Sequence, residues 1–146
     1  MRTSSIFDST AQALVNPVNC VGVMGAGLAL QFRQRFPGHF RAYGDLCSDG
    51  RLVPGSPVLT RAEGEPPIIL FPTKNHWREQ SHLCDIEAGL LFLETALPRW
   101  HILSVAIPAL GCGLGGLNWS DVQPLIARLK ERLKGQVDVE IWEPVS

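Results

Sequence analysis

Two glycine-rich turns, each leaving an apolar run and entering a helical pattern, constrain this chain more than anything else in it. The first runs Val15-Asn16-Pro17-Val18-Asn19-Cys20-Val21-Gly22-Val23-Met24-Gly25-Ala26-Gly27. The second runs Ile107-Pro108-Ala109-Leu110-Gly111-Cys112-Gly113-Leu114-Gly115-Gly116. Glycine lets backbone N–H groups approach a ligand closely, and a helix N-terminus adds a field that favours anions. Two such turns can hold a long ligand with phosphates in its middle. Strand–loop–helix repeated twice implies an α/β chain whose ligands bind at the carboxyl ends of the strands.

The rest of the chain extends the same alternation. Ala11 to Val18 is apolar and predicts a short buried strand, which Pro17 should end or make irregular. Leu28, Ala29, Phe32 and Phe36 have helical spacing, broken by Pro37-Gly38, with a second short helix over His39–Cys47. A strand begins within Val53–Thr60, and Ile68–Phe71 is a buried strand bounded by turn residues. Leu83, Ile86, Leu90, Leu93 and Leu97 form one stripe of a helix over Ser81–Leu97, with Pro98 just past its end. His101–Ile107 predicts another buried strand. Trp119, Val122, Leu125, Ile126, Leu129 and Leu133 form a second helical stripe, opened by a Ser120/Gln123 capping box and closed at Gly135. Val137–Trp142 alternates as a final strand. Without repeat or linker, residues 1–146 read as one three-layer α/β domain with a largely parallel sheet.

A chain of 146 residues can bury a sizeable core. Its net charge of −1 gives no whole-protein attraction to nucleic acid or to a membrane surface. The local cluster Arg33, Arg35 and Arg41 reads as a solvated face, and Lys74 with Arg78 makes a second basic spot. Cysteines at 20, 47, 84 and 112 form no C-x-x-C pair and no zinc spacing, so no metal is expected. Met1 to Thr10 holds no long apolar run, which leads us to expect reduced thiols in the cytoplasm. No stretch approaches the roughly 18 apolar residues of a membrane span.

Three segments carry chemistry. Asn19 follows a strand and precedes the first glycine turn; its amide suits a ribose hydroxyl or a bound water, or else bonds its own backbone as a turn former. The N–H groups of Gly25-Ala26-Gly27 face a helix start, and Gly111 to Gly116 can meet a phosphate from the other side; a tight turn without ligand is the alternative. Neither turn is a P-loop or a G-x-G-x-x-G fingerprint, which argues against nucleoside-triphosphate hydrolysis. In Phe71-Pro72-Thr73-Lys74-Asn75-His76-Trp77-Arg78, a strand-end lysine can attack an electrophilic carbon if burial or nearby cations lower its pKa from about 10.4. The alternative is a surface basic turn with Trp77 packed on the core. No carboxylate pair or G-x-S-x-G motif supports glycosidase-type acid–base or serine chemistry. Cys20 and Cys112 read as small packing residues.

Together, ALVNPVNCVGVMGAGLALQF at 13–32, FPTKNHWR at 71–78 and IPALGCGLGGLNW at 107–119 resemble a macrodomain, the fold that binds ADP-ribose, over nearly the whole chain. The likeness is greatest to the branch holding the DarG antitoxin macrodomain and the terminal ADP-ribose protein glycohydrolase. The resemblance implies a three-layer α/β/α domain with a mixed, largely parallel six-stranded sheet. It places Asn19 near the distal ribose, and Val23, Met24, Gly25, Ala26 and Gly27 against the diphosphate and that ribose. Gly111, Cys112, Gly113, Leu114, Gly115 and Gly116 become the opposing phosphate loop, with Thr73 and His76 beside the substrate. Lys74 becomes the nucleophile toward the anomeric carbon, with Asn19 as the second catalytic residue. No cofactor is implied.

Two departures follow. The Gly-Asp pair that faces adenine in many macrodomains falls at Ser4-Ser5 here, leaving Ser5 or a backbone group for that role. The protein-directed relative carries an Asp where this chain has Gly115. The implied function is therefore an ADP-ribosyl glycohydrolase acting first on ADP-ribosylated thymidine in DNA. The alternatives are glutamate-linked ADP-ribose on protein, O-acetyl-ADP-ribose, and a non-catalytic ADP-ribose reader. The expected partners are ADP-ribose or ADP-ribosylated DNA or protein, with single-stranded DNA as a transient partner; the sequence alone does not place Arg33, Arg35, Arg41 and Arg78 in one groove. A monomer away from membranes is expected.

Overall fold

The computed structural model describes residues 5–144. Five strands, β1 (Ala13–Val18), β2 (Val58–Thr60), β3 (Ile68–Pro72), β4 (Ser104–Ile107) and β5 (Asp138–Ile141), alternate with four helices, α1 (Gly27–Arg35), α2 (Pro37–Ser48), α3 (Leu83–Arg99) and α4 (Trp119–Arg132). The sheet order is β2-β3-β1-β4-β5, with only the β2–β3 pair antiparallel. Successive side chains of a strand point to opposite faces, and this assigns the layers. Ala13, Val15, Ile69, Phe71, Val105 and Ile107 meet Ile86, Leu90, Leu93 and Leu97 of α3 and Val122, Ile126 and Leu129 of α4. Leu14, Val18, Ile68, Leu70 and Ala106 meet Phe32 of α1 and Tyr43 of α2. The result is the three-layer α/β/α arrangement with a mixed, largely parallel sheet.

The sheet holds five strands among the described residues rather than six. Ile6–Asp8, ahead of β1, is a 3-10 turn with its own hydrogen bonds: Asp8 N–H donates to Ser5 O at 2.9 Å and Ser9 N–H to Ile6 O at 3.0 Å. Ser5 Oγ accepts from Phe7 N–H at 3.3 Å, so this serine caps the turn. Ser4 lies outside the described residues.

Pro17 does not end β1. Leu14 N–H donates to Pro67 O and Val18 O accepts from Thr73 N–H, so even-numbered residues of β1 face β3. Alternation turns Pro17 toward β4, whose pairing with β1 covers only Ala13 and Leu14. The donor that proline lacks points where no strand waits for it.

Other boundaries shift for similar reasons. Pro98 lies inside α3, giving up one hydrogen bond in the last turn, while Trp100 N–H reaches Ala96 O at 2.8 Å and Ile102 N–H reaches Leu97 O at 3.1 Å. His101 then takes a left-handed φ of 58°, so β4 starts at Ser104 rather than at His101. Helix α4 starts at Trp119 behind Asn118, which leaves Ser120 inside the first turn and the capping box unformed. On α3 the stripe is buried from Ile86 onward, whereas Leu83 at the helix start is exposed. Gly89 interrupts α3 at a cost to helix stability because a Cβ there would strike the Phe71 ring. That close approach seats α3 directly on β3.

Candidate active site

Strands β1, β3 and β4 are parallel, so all three release their chains at one sheet edge. Three segments leave that edge side by side: residues 19–26, 73–82 and 108–118. The topology thus gathers all three segments singled out in the sequence.

The first loop is built around Asn19. Its Oδ1 accepts from the N–H groups of Val21 at 3.1 Å and Val23 at 3.4 Å, while its Nδ2 donates to Val23 O at 2.8 Å. The Tyr43 hydroxyl sits 2.6 Å from Asn19 Oδ1 and 2.9 Å from its carbonyl oxygen. Burial drives the Tyr43 pKa far up, so it stays a neutral donor. Asn19 is buried and shapes the turn; one Nδ2 hydrogen remains for a ligand. Val23 is exposed and Met24 is buried, with Met24 Sδ 3.9 Å from Asn16 Nδ2. Met24 therefore offers the ligand only its backbone. Beyond it, Gly25, Ala26 and Gly27 are exposed. Ala26 caps α1 without a side-chain bond, and the N–H groups of Gly27 and Leu28 have no acceptor among the described residues. Free donors at a helix start form an anion site.

The second loop is a compact knot. Leu117 N–H donates to Gly111 O at 2.9 Å and Gly116 N–H to Gly113 O at 3.2 Å, with Gly111 and Gly116 at φ of 72° and 79°. Gly115 must be glycine on packing grounds, because a Cβ there would fall on Ser81 Oγ and lie 2.6 Å from Gly111 O. The N–H groups of Gly113, Leu114 and Gly115 have no acceptor among the described residues. Leu114 is exposed at the tip. A Cβ placed on Gly27 would lie 4.0 Å from Leu114 Cδ1, so the two glycine loops face each other at contact distance.

The Lys74 segment is tied to both. Thr73, buried, donates its N–H to Val18 O at 2.9 Å; Cys20 N–H donates to Asn75 O at 2.9 Å; and Ser81 N–H donates to Gly115 O at 2.9 Å. Between these ties Lys74 is partly buried, with Nζ donating to Trp77 O at 3.2 Å. His76 Nδ1 accepts from Arg78 N–H at 3.1 Å. Trp77 is 46% exposed, so it does not pack on the core.

The thiols in the loops are chemically quiet. Burial pushes Cys20 and Cys112 each to about 11, with Cys47 adding to the shift of Cys20 and Asp121 to that of Cys112. Both stay protonated near neutral pH and pack as small residues. Arg33 and Arg35 spend their guanidinium groups over Phe40 and Phe7, at 4.5 and 4.4 Å from the ring centroids. Neither loop carries a charged residue. Sequence reasoning missed Tyr43 and Ser81. Tyr43 shares a buried helix face with His39, four residues earlier, a spacing that could have marked it. Ser81 carries no local signal, because its role depends on a loop more than thirty residues away.

A family model described as "Macro domain" matches residues 15–126. The chain is 42% identical over 145 residues to a "DNA ADP-ribosyl glycohydrolase" of Mycobacterium tuberculosis, covering 97% of this chain and 41% of that protein. A Thermus aquaticus protein of the same name is 41% identical, with 97% and 40% covered. The chain thus spans about two fifths of the length of the curated relatives it matches. Among solved structures, the "Macrodomain of Mycobacterium tuberculosis DarG" superposes with a TM-score of 0.90 at 42% identity, covering 97% of this chain and 94% of that one. "Thermosipho africanus DarTG in complex with ADP-ribose" does so with a TM-score of 0.90 at 38% identity, covering 96% and 40%.

Proposed function

The chain belongs to the macrodomain family, and from that premise we propose that it is an ADP-ribosyl glycohydrolase, with ADP-ribosylated thymidine in DNA as first substrate and Lys74 as nucleophile. The observation that carries this reading is the pair of facing glycine loops, each with N–H groups unbonded among the described residues, joined by the Lys74 segment. A diphosphate spans such a gap well: its oxygens accept from the N–H groups of Gly27 and Leu28 on one side and of Gly113 to Gly115 on the other. The distal ribose then lies between Asn19 and Lys74, which Cys20 N–H and Asn75 O hold together. The names of the relatives support DNA as the modified macromolecule.

The reaction runs in two displacements. Lys74 Nζ leaves the Trp77 carbonyl and attacks the anomeric carbon with its lone pair. The bond from that carbon to the base breaks, the base takes the electron pair and a proton, and the amine loses one. Water then attacks the same carbon, the carbon–Nζ bond breaks, and ADP-ribose leaves with a free hydroxyl while Lys74 regains its amine. The loops supply orientation by fixing the carbon near Nζ.

The test offers thymidine-linked DNA, glutamate-linked protein and O-acetyl-ADP-ribose side by side. Release of ADP-ribose is expected to be fastest from DNA. Lys74→Ala should cut release by about 10³-fold or more while leaving ADP-ribose affinity within a few fold. Full turnover in that variant removes the lysine mechanism. Binding by the unmodified protein without product makes it a reader.

A further inference from the structure

Trp77 poses a question that ADP-ribose binding does not answer. A tryptophan that is 46% exposed on a turn leaves a large ring in water, yet this one has flat groups against it. The Arg78 guanidinium lies 4.6 Å from the Trp77 ring centroid, and the His76 ring lies 5.2 Å away at an interplanar angle of 31°. Backbone bonds fix the turn beneath: Arg78 N–H to His76 Nδ1 at 3.1 Å and Glu79 N–H to His76 O at 3.0 Å. Asn75 and Ser81 anchor its two ends to the glycine loops. His76, Trp77 and Arg78 thus form a short ladder, with both neighbours against the Trp77 ring.

We propose that His76, Trp77 and Arg78 form a stacking platform for nucleobases of a single DNA strand joined to the bound ADP-ribose. The proposal rests on the reading of this site as one that takes ADP-ribosylated DNA. Lys74 Nζ touches the Trp77 carbonyl, so whatever is linked to the carbon that Lys74 attacks lies beside the ladder. A nucleobase extends a stack of flat groups, and the Arg78 cation meets a neighbouring phosphate; both contacts tolerate any base sequence.

The full chain is tested with three probes: an unmodified thymidine oligonucleotide, the same strand carrying ADP-ribose, and free ADP-ribose. Trp77→Ala should weaken both strands by about 5- to 150-fold and leave free ADP-ribose within about twofold. Trp77→Phe, which keeps a flat ring, should recover most of that loss. Arg78→Ala should flatten the slope of log affinity against log salt by about 0.7 for the strand. Equal strand affinity in Trp77→Ala overturns the platform, as does an equal loss for free ADP-ribose. Should the unmodified protein bind the modified strand through Trp77 but release nothing, the platform stands and the hydrolase reading falls. Should it hydrolyse the strand with a KM that Trp77→Ala leaves unchanged, the platform alone falls.

Discussion

Gly115 and Gly113 lie two residues apart in one loop, and neither needs a left-handed φ, yet the same substitution should affect them oppositely. A methyl on Gly115 falls on Ser81 Oγ, 2.6 Å from Gly111 O and 3.0 Å from Gly111 C. Two of those contacts are backbone and cannot swing aside. Overpacking of this kind costs about 1–3 kcal/mol, and the loop shift that relieves it stretches the bond from Ser81 N–H to Gly115 O, worth about 1 kcal/mol more. A methyl on Gly113 meets nothing within 4 Å. There the substitution only restricts the unfolded chain, a gain of about 0.4–1 kcal/mol. Urea unfolding should place Gly115→Ala well below the parent midpoint and Gly113→Ala at or slightly above it. Adding Ser81→Gly to Gly115→Ala should restore only part of the loss, because Gly111 remains in the way. Equal midpoints for the two alanine variants, or full rescue by Ser81→Gly, would refute the packing account.

Two further outcomes follow from the bonds beneath the first loop and beside α2. Tyr43→Phe leaves the buried Asn19 carbonyl short of a donor and should cost about 1–2 kcal/mol in urea unfolding; calorimetry should show weaker ADP-ribose binding as the loop loosens. Unchanged values for both would free Asn19 from Tyr43. His39 bonds Thr60 Oγ1 at 2.7 Å and Pro66 O at 2.8 Å, and burial holds its pKa below the ordinary 6.5 against the raising pulls of Pro66 and Glu65. The unfolded chain therefore takes the proton first: stability is full above pH 6.5 and falls as the pH drops through and below it. Midpoints measured from pH 7.5 to 5 should show this, and His39→Gln should flatten the profile. A parent profile as flat as that of the variant would contradict it.

Elements with a strong period were legible before any coordinates. The stripes of α3 and α4 and the apolar runs of β1 and β3 fall where the sequence puts them, because each buries one face and repeats its signal. Boundaries were not. Pro17 sits mid-strand only because β4 has already diverged, and His101 turns out of α3 in a left-handed conformation that no local pattern demands. The candidate site was legible as three segments but not as a connected unit. Asn19 was legible as an amide with two possible uses; the Tyr43 hydroxyl, which arrives from α2, commits most of it to the turn. Ser81 and Gly115 explain each other only once they touch.

The same connections divide the ligand by the physics that would hold it. Neither glycine loop carries a lysine or arginine, so phosphate charge there would meet neutral N–H groups and the field of α1. Such contacts are short and directional, release few counterions, and lose little affinity as salt rises. On the Lys74 turn the character changes: Lys74, His76 and Arg78 follow within five residues. A DNA strand leaving that side would be held by stacking and by cations, and so by forces that salt does weaken. Cleavage at the anomeric carbon, as proposed, would cut the substrate where these two regimes meet. Rising ionic strength should then release the strand while ADP-ribose stays bound, an order of departure that follows from confining the charge to the Lys74 turn.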